Sequence, residues 1–383
     1  MAKGKKAKRA RKRLTPIIER ADPPVLAAEV GRKIKSRSPK RGAVPAKVTI
    51  RLPMFAASGG SKGLSLRKGA GKRMASVGLA SELAVSIPGK SLGQHAFPAA
   101  PSAKRFAIDT KETTGRDEIT SLEPFAPAHL RLRTKPLKLA ASLRAAPLSI
   151  RHDRKLGRGE KEPTTLFPPE DRATYSDTSY PWGTVGRLST GASGVMIGPR
   201  HLLTVSHGIP WSGSGVSAFT FTPGTFDGSA PFGVASATWV YYRVKVTGTL
   251  NANERKHDYA VVVLNWRIGD LAGWMGSKTY HTSWDGSPYW YHCGYPTDIA
   301  SGQRPIWDNG ISMDGKGVKR HREIHHWADV WPGQSGGPMF AWWSGQAGPH
   351  CVSVQSAHDS SRNYASGGSE MVDLVIDARS DFP

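Results

Sequence analysis

A serine inside a glycine-rich stretch is the strongest sign of chemistry in this sequence. Residues 333–338 read Gly-Gln-Ser-Gly-Gly-Pro, with Ser335 in third place. A serine hydroxyl becomes a good nucleophile only where a base accepts its proton and fixed donors stabilise the resulting oxyanion. Glycine allows a backbone amide to turn inward, so we expect the amides of Gly333 and Ser335 to converge on one oxygen. By itself this stretch could equally be an ordinary turn, and the support for nucleophilic catalysis comes from residues upstream.

A candidate base and a candidate carboxylate lie upstream. His207 follows an apolar run and precedes Gly208, while Asp258 stands at the mouth of the apolar strand predicted at 257–264. Such a histidine is often merely buried and hydrogen-bonded, and such an aspartate can cap a turn. Burying the aspartate is costly unless a partner such as a histidine N–H pairs with it. Only the order of the three elements separates the two interpretations.

That order, histidine then aspartate then serine, resembles the trypsin-like serine peptidases. Residues 203–207, Leu-Thr-Val-Ser-His, resemble their Leu-Thr-Ala-Ala-His segment, and residues 257–262 resemble their Asp-Ile-Ala-Leu segment. Residues 333–338 match Gly-Asp-Ser-Gly-Gly-Pro with one change. Residues 293–296 and 301–303 are similar to Gly-Tyr-Pro and Ser-Gly elements of the bacterial glutamyl-endopeptidase-like branch. The resemblance covers about residues 174–382.

The resemblance implies an all-β fold of two six-stranded antiparallel β-barrels with the active site between them. It also implies a serine endopeptidase without cofactor or metal. In that family His207 would be the general base and acid, Asp258 the carboxylate that orients it, and Ser335 the nucleophile that forms an acyl-enzyme. The oxyanion hole would consist of the Gly333 and Ser335 amides.

The same resemblance indicates a substrate-binding pocket with Asp329 at its floor and Gln355, Ser356 and His358 along one wall. A carboxylate at the floor favours Arg or Lys in the substrate. However, the glutamyl-endopeptidase-like branch also carries an aspartate there, together with a wall histidine that helps to bind an acidic side chain. In this chain Gln355 occupies that wall position, so both preferences stay open.

Gln334 and the cysteines depart from the family pattern. Animal digestive enzymes have an aspartate before the nucleophile that pairs with a newly freed amino terminus, and Gln334 cannot form that ion pair. We therefore hypothesise that a controlling pro-segment would cover the cleft or assist folding. Cys293 and Cys351 are the only cysteines. A disulfide and two free thiols are both compatible with the sequence, so the cellular compartment is undetermined.

Charge divides the chain at about residue 170. Residues 1–170 hold 37 Lys and Arg against 13 Asp and Glu, whereas residues 171–383 sum to a net charge of −1. All twelve Trp lie between Trp182 and Trp343. We predict a basic, largely disordered N-terminal region at 1–170 and a peptidase domain at 171–383.

The first fourteen residues, MAKGKKAKRARKRL, are strongly basic. They favour a solvated tail or pro-segment over a nucleic-acid arm, because no aromatic residues alternate with the charges. The alternative function is binding of nucleic acid or an anionic surface through residues 1–14, with a regulatory peptidase domain. Neither a signal peptide nor an apolar run of about 18 residues is evident, so we expect a soluble protein. Secretion by analogy with relatives stays open.

Some conspicuous residues receive no site role. His321, His325 and His326 include a pair four residues apart, but without a convincing third ligand we interpret them as surface histidines and not as a zinc site. Trp331, Trp342 and Trp343 are interpreted as packing residues. Strands are also predicted at 184–188, 191–197 and 237–246, with a polar loop at 251–256.

Overall fold

The computed structural model describes residues 14–40, 43, 118–139, 166–167, 170–212, 215–359 and 361–383, and the backbone of four strands between residues 47 and 88. These parts of the chain are mostly β. Apart from Leu14, the stretch at 1–14 for which an anionic partner was predicted lies outside the described residues.

Seven strands precede the first barrel: β1 (Ile17–Arg20), β2 (Lys47–Met54), β3 (Ser65–Gly69), β4 (Lys72–Ser76), β5 (Ser81–Pro88), β6 (Glu118–Leu122) and β7 (Ala173–Thr174). Eight follow: β8 (Val185–Leu188), β9 (Ser193–Gly198), β10 (His201–Thr204), β11 (Trp211–Ser212), β12 (Gly215–Val216), β13 (Thr220–Pro223), β14 (Ala235–Tyr242) and β15 (Ala260–Leu264). The last eight are β16 (Gly276–Lys278), β17 (Trp290–Gly294), β18 (Ile306–Ile311), β19 (Met313–Val318), β20 (His321–His326), β21 (Pro338–Ala341), β22 (His350–His358) and β23 (Asn363–Gly367).

The helices are short except the last: α1 (Val30–Lys33), α2 (Ala252–Arg255), α3 (Gly269–Ala272) and α4 (Ser369–Asp381). Single 3₁₀ turns occupy Ala27–Glu29, Trp182–Thr184, Thr282–Trp284 and Ala300–Gly302. Within the described residues, none of the helices combines the length and the apolar character needed to span a bilayer.

Six strands close a barrel in the first half of the peptidase-like region. They follow one another in the order β13-β8-β9-β10-β15-β14, and β13 pairs again with β14. All six pairings are antiparallel. This confirms one of the two barrels that the family resemblance implies.

Strand β15 shows why a fully apolar segment forms here. Val262 lies in the barrel interior, whereas Val261 and Val263 belong to the cluster outside it that includes the buried face of α4. Both faces of the strand are therefore covered, which removes the usual reason for alternating polar residues. Because β15 pairs with β10 through Leu203↔Val261 and Thr204↔Ala260, the entrance to β15 lies beside the exit of β10.

The second sheet carries the serine turn. Strand β21, which begins directly after that turn, lies between β17 and β22, and β22 pairs with β23, which pairs with β20. On the other side of β22, the short strand β16 pairs in parallel and β6 and β1 extend the sheet. The predicted closure of this half into a second barrel stays a prediction.

Two stretches of the supposedly disordered region belong to the fold. β1 pairs with β6, which pairs with β16, and the Val25 amide donates a hydrogen bond of 2.8 Å to the Trp342 carbonyl. Val25 and Val30 are buried. The prediction of disorder was therefore wrong for residues 14–40 and 118–139, because a few apolar residues can add to a core that another part of the chain has already built.

Residues 251–256, predicted as a polar loop, contain the one-turn helix α2. Asn251 caps it by accepting hydrogen bonds from the amides of Asn253 and Glu254, both at 3.0 Å. Glu254 Oε2 accepts in return from the Asn251 amide at 3.0 Å, completing a capping box. This turn fixes the approach of the chain to Asp258.

Candidate active site

His207 and Asp258 form a direct pair. His207 Nδ1 lies 2.7 Å from Asp258 Oδ2, and the His207 amide donates to Oδ1 at 2.9 Å. Asp258 is fully buried, whereas the His207 side chain is 26% exposed. A carboxylate oxygen at this position accepts a proton from Nδ1, and in the neutral ring Nε2 then has a lone pair. The pair thus has the geometry of a general base with its orienting carboxylate.

Ser356 supplies a third donor to this carboxylate. Its hydroxyl donates to Asp258 Oδ2 at 2.6 Å from β22. The sequence placed Ser356 on the pocket wall, but the structure directs its hydroxyl to the buried aspartate. Three hydrogen bonds compensate for removing the Asp258 charge from water. No local sequence pattern predicts this hydrogen bond, because it joins two residues that are 98 positions apart.

The turn at Ser335 is fastened to both sheets. The Ser193 amide of β9 donates to the Ser335 carbonyl at 2.8 Å, and Ser193 Oγ donates to the Gly333 carbonyl at 2.7 Å. From the other side, the Gly336 amide donates to the Gln355 carbonyl at 2.8 Å. A Cβ on Gly336 would lie 2.2 Å from the Ser193 carbonyl oxygen, so glycine is required there. Ser335 is half-buried. Its turn therefore lies between β9 and β22, the strand whose Ser356 donates to Asp258.

Within the described part of the chain, no hydrogen bond links Ser335 Oγ to His207 Nε2. Catalytic hydrogen bonds are often long in unliganded enzymes and tighten in the substrate complex. The structure makes the His207–Asp258 contact directly, and it connects Asp258 to the Ser335 turn through Ser356 and Gln355 of β22.

The residues before Ser335 form a turn that leaves two backbone amides without an acceptor among the described residues. The Gln334 amide donates to the Trp331 carbonyl at 3.1 Å, with Pro332 second in the turn and Gly333 third at φ +99°. This combination is typical of a type II turn, in which the third residue needs positive φ. Among the described residues, the amides of Gly333 and Ser335 have no hydrogen-bond acceptor. Both predicted oxyanion donors thus remain available to a ligand.

Gln334 is fully buried and is held from within the chain. Its Oε1 accepts hydrogen bonds from Arg172 Nη1 at 3.1 Å and from the Trp331 amide at 2.8 Å. Arg172 is 1% exposed and pairs with Asp298 at 2.7 Å and with Glu170 at 2.7 Å. Burial alone would lower the pKa of Arg172, but hydrogen bonds and charges from Asp298 and Glu170 outweigh it and raise the pKa. A guanidinium therefore binds the residue before Ser335, which the sequence reasoning missed.

Asp329 does not present a free carboxylate. Its Oδ1 accepts from the Phe167 amide at 2.5 Å and its Oδ2 from the Asp171 amide at 3.2 Å. Burial raises its pKa despite these two amides, and burial together with Asp171 and Asp329 raises the pKa of neighbouring Asp308 to about 7. The chain segment before the barrel thus occupies both oxygens of the residue predicted as the pocket floor. The substrate-binding role of Asp329 stays a prediction.

Gln355 and His358 occupy different environments. Gln355 is buried, accepts from His326 Nε2 at 2.6 Å and donates to the Ala357 carbonyl at 3.0 Å. Burial, with a contribution from nearby His292, lowers the pKa of His326 to about 3, so the ring is neutral. His326 is therefore not the surface histidine that the sequence suggested. His358, which was also predicted to line the pocket wall, is half-buried at the end of β22.

The structure resolves the alternatives for the cysteines. Cys293 and Cys351 are both buried free thiols. Burial raises the pKa of Cys293 and raises that of Cys351 to about 12. Both thiols are thus packing groups and weak nucleophiles. Trp342 and Trp343 are buried, as the packing interpretation required, and Trp331 is half-buried.

No protein-family model matches this chain, and neither does any curated protein. Among solved structures, a Glu endopeptidase in complex with MPD is similar at 20% identity and a TM-score of 0.46, over 56% of this chain and 100% of its own. The protease Anisep from Arthrobacter nicotinovorans has 19% identity and a TM-score of 0.39, over 54% and 100% of the two chains. The thermostable serine protease AL20 from an extremophilic microorganism has 18% identity and a TM-score of 0.41, over 53% and 99%. These three similar structures are thus a Glu endopeptidase and two other proteases.

Proposed function

We propose that this protein is a serine endopeptidase that cleaves peptide bonds through an acyl-enzyme on Ser335. The observation that carries the proposal is the His207–Asp258 pair at 2.7 Å, with a fully buried carboxylate, next to a serine turn fastened between the two sheets. Three hydrogen-bond donors surround the carboxylate of this buried aspartate and offset the cost of removing it from water. That arrangement has a clear chemical use as the support of a catalytic histidine.

In the proposed reaction, Ser335 Oγ attacks the scissile carbonyl carbon while His207 Nε2 accepts the hydroxyl proton. Asp258 stabilises the imidazolium that forms. The amides of Gly333 and Ser335 donate to the oxyanion. His207 then returns the proton to the leaving amine, and water, activated by the same histidine, hydrolyses the ester on Ser335.

We also propose that the second sheet functions as the second barrel of this architecture. β18 and β19 are separated only by Ser312, so they can act as one bent strand. Counted in that way, β17, β18 with β19, β20, β23, β22 and β21 pair in a closed circuit of six. Ser335 would then come from the second barrel and the His207–Asp258 pair from the first.

Replacing the proposed nucleophile tests the function. We expect wild-type protein to hydrolyse an unfolded protein substrate such as casein and to react with a serine-reactive phosphonate at Ser335. Ser335→Ala should lose both activities, whereas Ser361→Ala, an exposed serine, should retain them. Folded wild-type protein that neither hydrolyses a broad peptide library nor takes up the phosphonate would contradict the proposal.

A further inference from the structure

Three potential metal ligands meet outside the candidate active site. They are His257, which follows α2, His321 at the start of β20, and Glu370 in the first turn of α4. One ligand atom from each lies within 4.8 Å of the other two. The two imidazole rings are 4.6 Å apart between centroids, and His257 Nε2 is 3.7 Å from Glu370 Oε2. The cluster thus joins three separate elements at one point.

The hydrogen bond of His257 fixes the tautomer that a metal requires. Its Nδ1 is 3.0 Å from the Asn253 carbonyl oxygen, which can only accept, so Nδ1 carries a proton. In the neutral ring Nε2 then has a lone pair, and it is Nε2 that faces Glu370. Metal-binding histidines commonly donate their other ring N–H to a backbone carbonyl in this way.

His321 and Glu370 also leave ligand atoms unused. His321 Nδ1 is buried and has no hydrogen-bond partner among the described residues. Glu370 Oε1 accepts from Arg320, at 2.8 Å from Nη2, which leaves Oε2 toward His257. A buried ring nitrogen without a partner is costly, and a cation bound by that nitrogen would remove the cost.

The backbone holds the ligands at fixed relative positions. The Glu370 amide donates to the Arg320 carbonyl at 2.9 Å, so the start of α4 is bonded to the start of β20. Gly368, at φ +113°, allows this approach, because a Cβ there would lie 2.6 Å from the Arg320 carbonyl oxygen. Regular secondary structure and a backbone hydrogen bond therefore hold His321 and Glu370 next to each other.

We propose that His257, His321 and Glu370 form a zinc site with a fourth position open to water. Two imidazoles and one carboxylate are a ligand set that zinc uses, with bonds of about 2.0–2.2 Å. Tetrahedral bonds of that length place ligand atoms about 3.3 Å apart, so side-chain shifts of about 1.5 Å at most bring the three atoms to these separations. Lys256 and Arg320 lie nearby and their positive charges oppose the metal. Glu370 supplies the negative charge that offsets part of this repulsion.

The proposed site uses a different pair of histidines from the one that the sequence spacing singled out. The His321/His325 pair, four residues apart, is not the pair that converges: His325 Nε2 lies 3.1 Å from Glu323 Oε1 and is not part of the cluster. The zinc partner of His321 comes from a residue 64 positions away, directly before Asp258. The proposal goes beyond peptide hydrolysis and does not depend on it.

Zinc binding by full-length protein tests the proposal. Ser335→Ala protein, used to prevent self-cleavage, is stripped with EDTA and titrated with ZnCl₂ by calorimetry, with bound zinc counted by atomic emission. We expect a site of about one zinc per chain with a micromolar or lower Kd, and a rise in Tm with added zinc. His257→Ala, His321→Gln and Glu370→Gln should each weaken that site at least tenfold, whereas His325→Ala should not.

Two results would overturn the proposal. One is correctly folded protein that binds no zinc stoichiometrically and has the same Tm with and without added zinc. The other is a zinc site whose affinity is unaffected by His321→Gln and Glu370→Gln together, since these variants preserve size and hydrogen-bonding capacity. Failure of the proposed peptidase function would leave both readouts unchanged, because neither measures hydrolysis.

Discussion

Arg172 offers the sharpest test of how the serine turn is held. Its guanidinium is 1% exposed and bridges Asp298, Glu170 and the side-chain oxygen of Gln334, the residue before the proposed nucleophile. Arg172→Met keeps a long apolar stem but removes every donor. The change therefore leaves Asp298 with an uncompensated charge and Gln334 with one hydrogen bond fewer.

The expected cost follows from the burial of this network. Removing one partner of a buried ion pair costs about 3–5 kcal/mol, and Asp298, at 10% exposure, belongs near the lower end of that range. The lost hydrogen bond to Gln334 adds about 1 kcal/mol. We expect Arg172→Met to lower the free energy of unfolding by about 4 kcal/mol. We also expect a lower kcat, because Gln334 belongs to the turn that presents the Gly333 amide.

Urea unfolding followed by tryptophan fluorescence measures the first effect, and hydrolysis of a protein substrate measures the second. Arg304→Met is the matched control: Arg304 binds Asp227 at 2.7 Å, but Asp227 is 40% exposed. Such surface pairs are worth about 0–1 kcal/mol. A cost for Arg172→Met no larger than that of Arg304→Met would refute the argument that burial makes this network strong. An unchanged kcat in a destabilised variant would refute the link to the serine turn.

Three other changes have definite expected outcomes. Ser356→Ala removes a hydroxyl donor from Asp258, so kcat should fall about tenfold while circular dichroism stays native; unchanged kcat would show that the contact is dispensable. Folded His326 stays neutral down to about pH 3, whereas unfolded histidine binds a proton near pH 6.5, so acid favours unfolding. Between pH 7.5 and 5.5, His326→Gln should therefore reduce the loss of unfolding free energy by about 1.4 kcal/mol, and equal slopes in both proteins would contradict this. Native protein should resist iodoacetamide at pH 8, with both Cys293 and Cys351 labelled only in urea; modification without denaturant would show that the thiols are accessible.

The parts of the site that the sequence predicted are those carried by short segments. An apolar strand that ends in a histidine, an apolar strand that begins after an aspartate, and a glycine-rich turn each require only local composition to be recognised. The pairing of β10 with β15 then brings His207 and Asp258 together. Antiparallel pairing of two buried strands thus converts two local patterns into one contact.

The contacts that the sequence did not predict join distant residues with no shared pattern. Arg172 and Gln334 are 162 positions apart, as are Phe167 and Asp329. Asp329 was a candidate pocket floor because of its charge and its position in the motif. Neither property shows that backbone amides from another segment already donate to its carboxylate. The zinc ligands proposed at His321 and Glu370 illustrate the same limit, since their convergence depends on where α4 begins relative to β20.

The cluster of Trp284, Trp290 and Trp343 has a consequence for spectroscopy. The three indoles are buried with ring centroids 5.5–6.2 Å apart, and carbonyls from the N-terminal stretch accept two of their N–H groups: Ala21 from Trp284 and Asp22 from Trp343. Closely spaced indoles couple electronically and give a strong near-ultraviolet circular dichroism band. Departure of residues 14–40 would remove two acceptors and admit water to the rings. The protein therefore carries an optical reporter of whether its N-terminal segment is docked, readable without any attached dye.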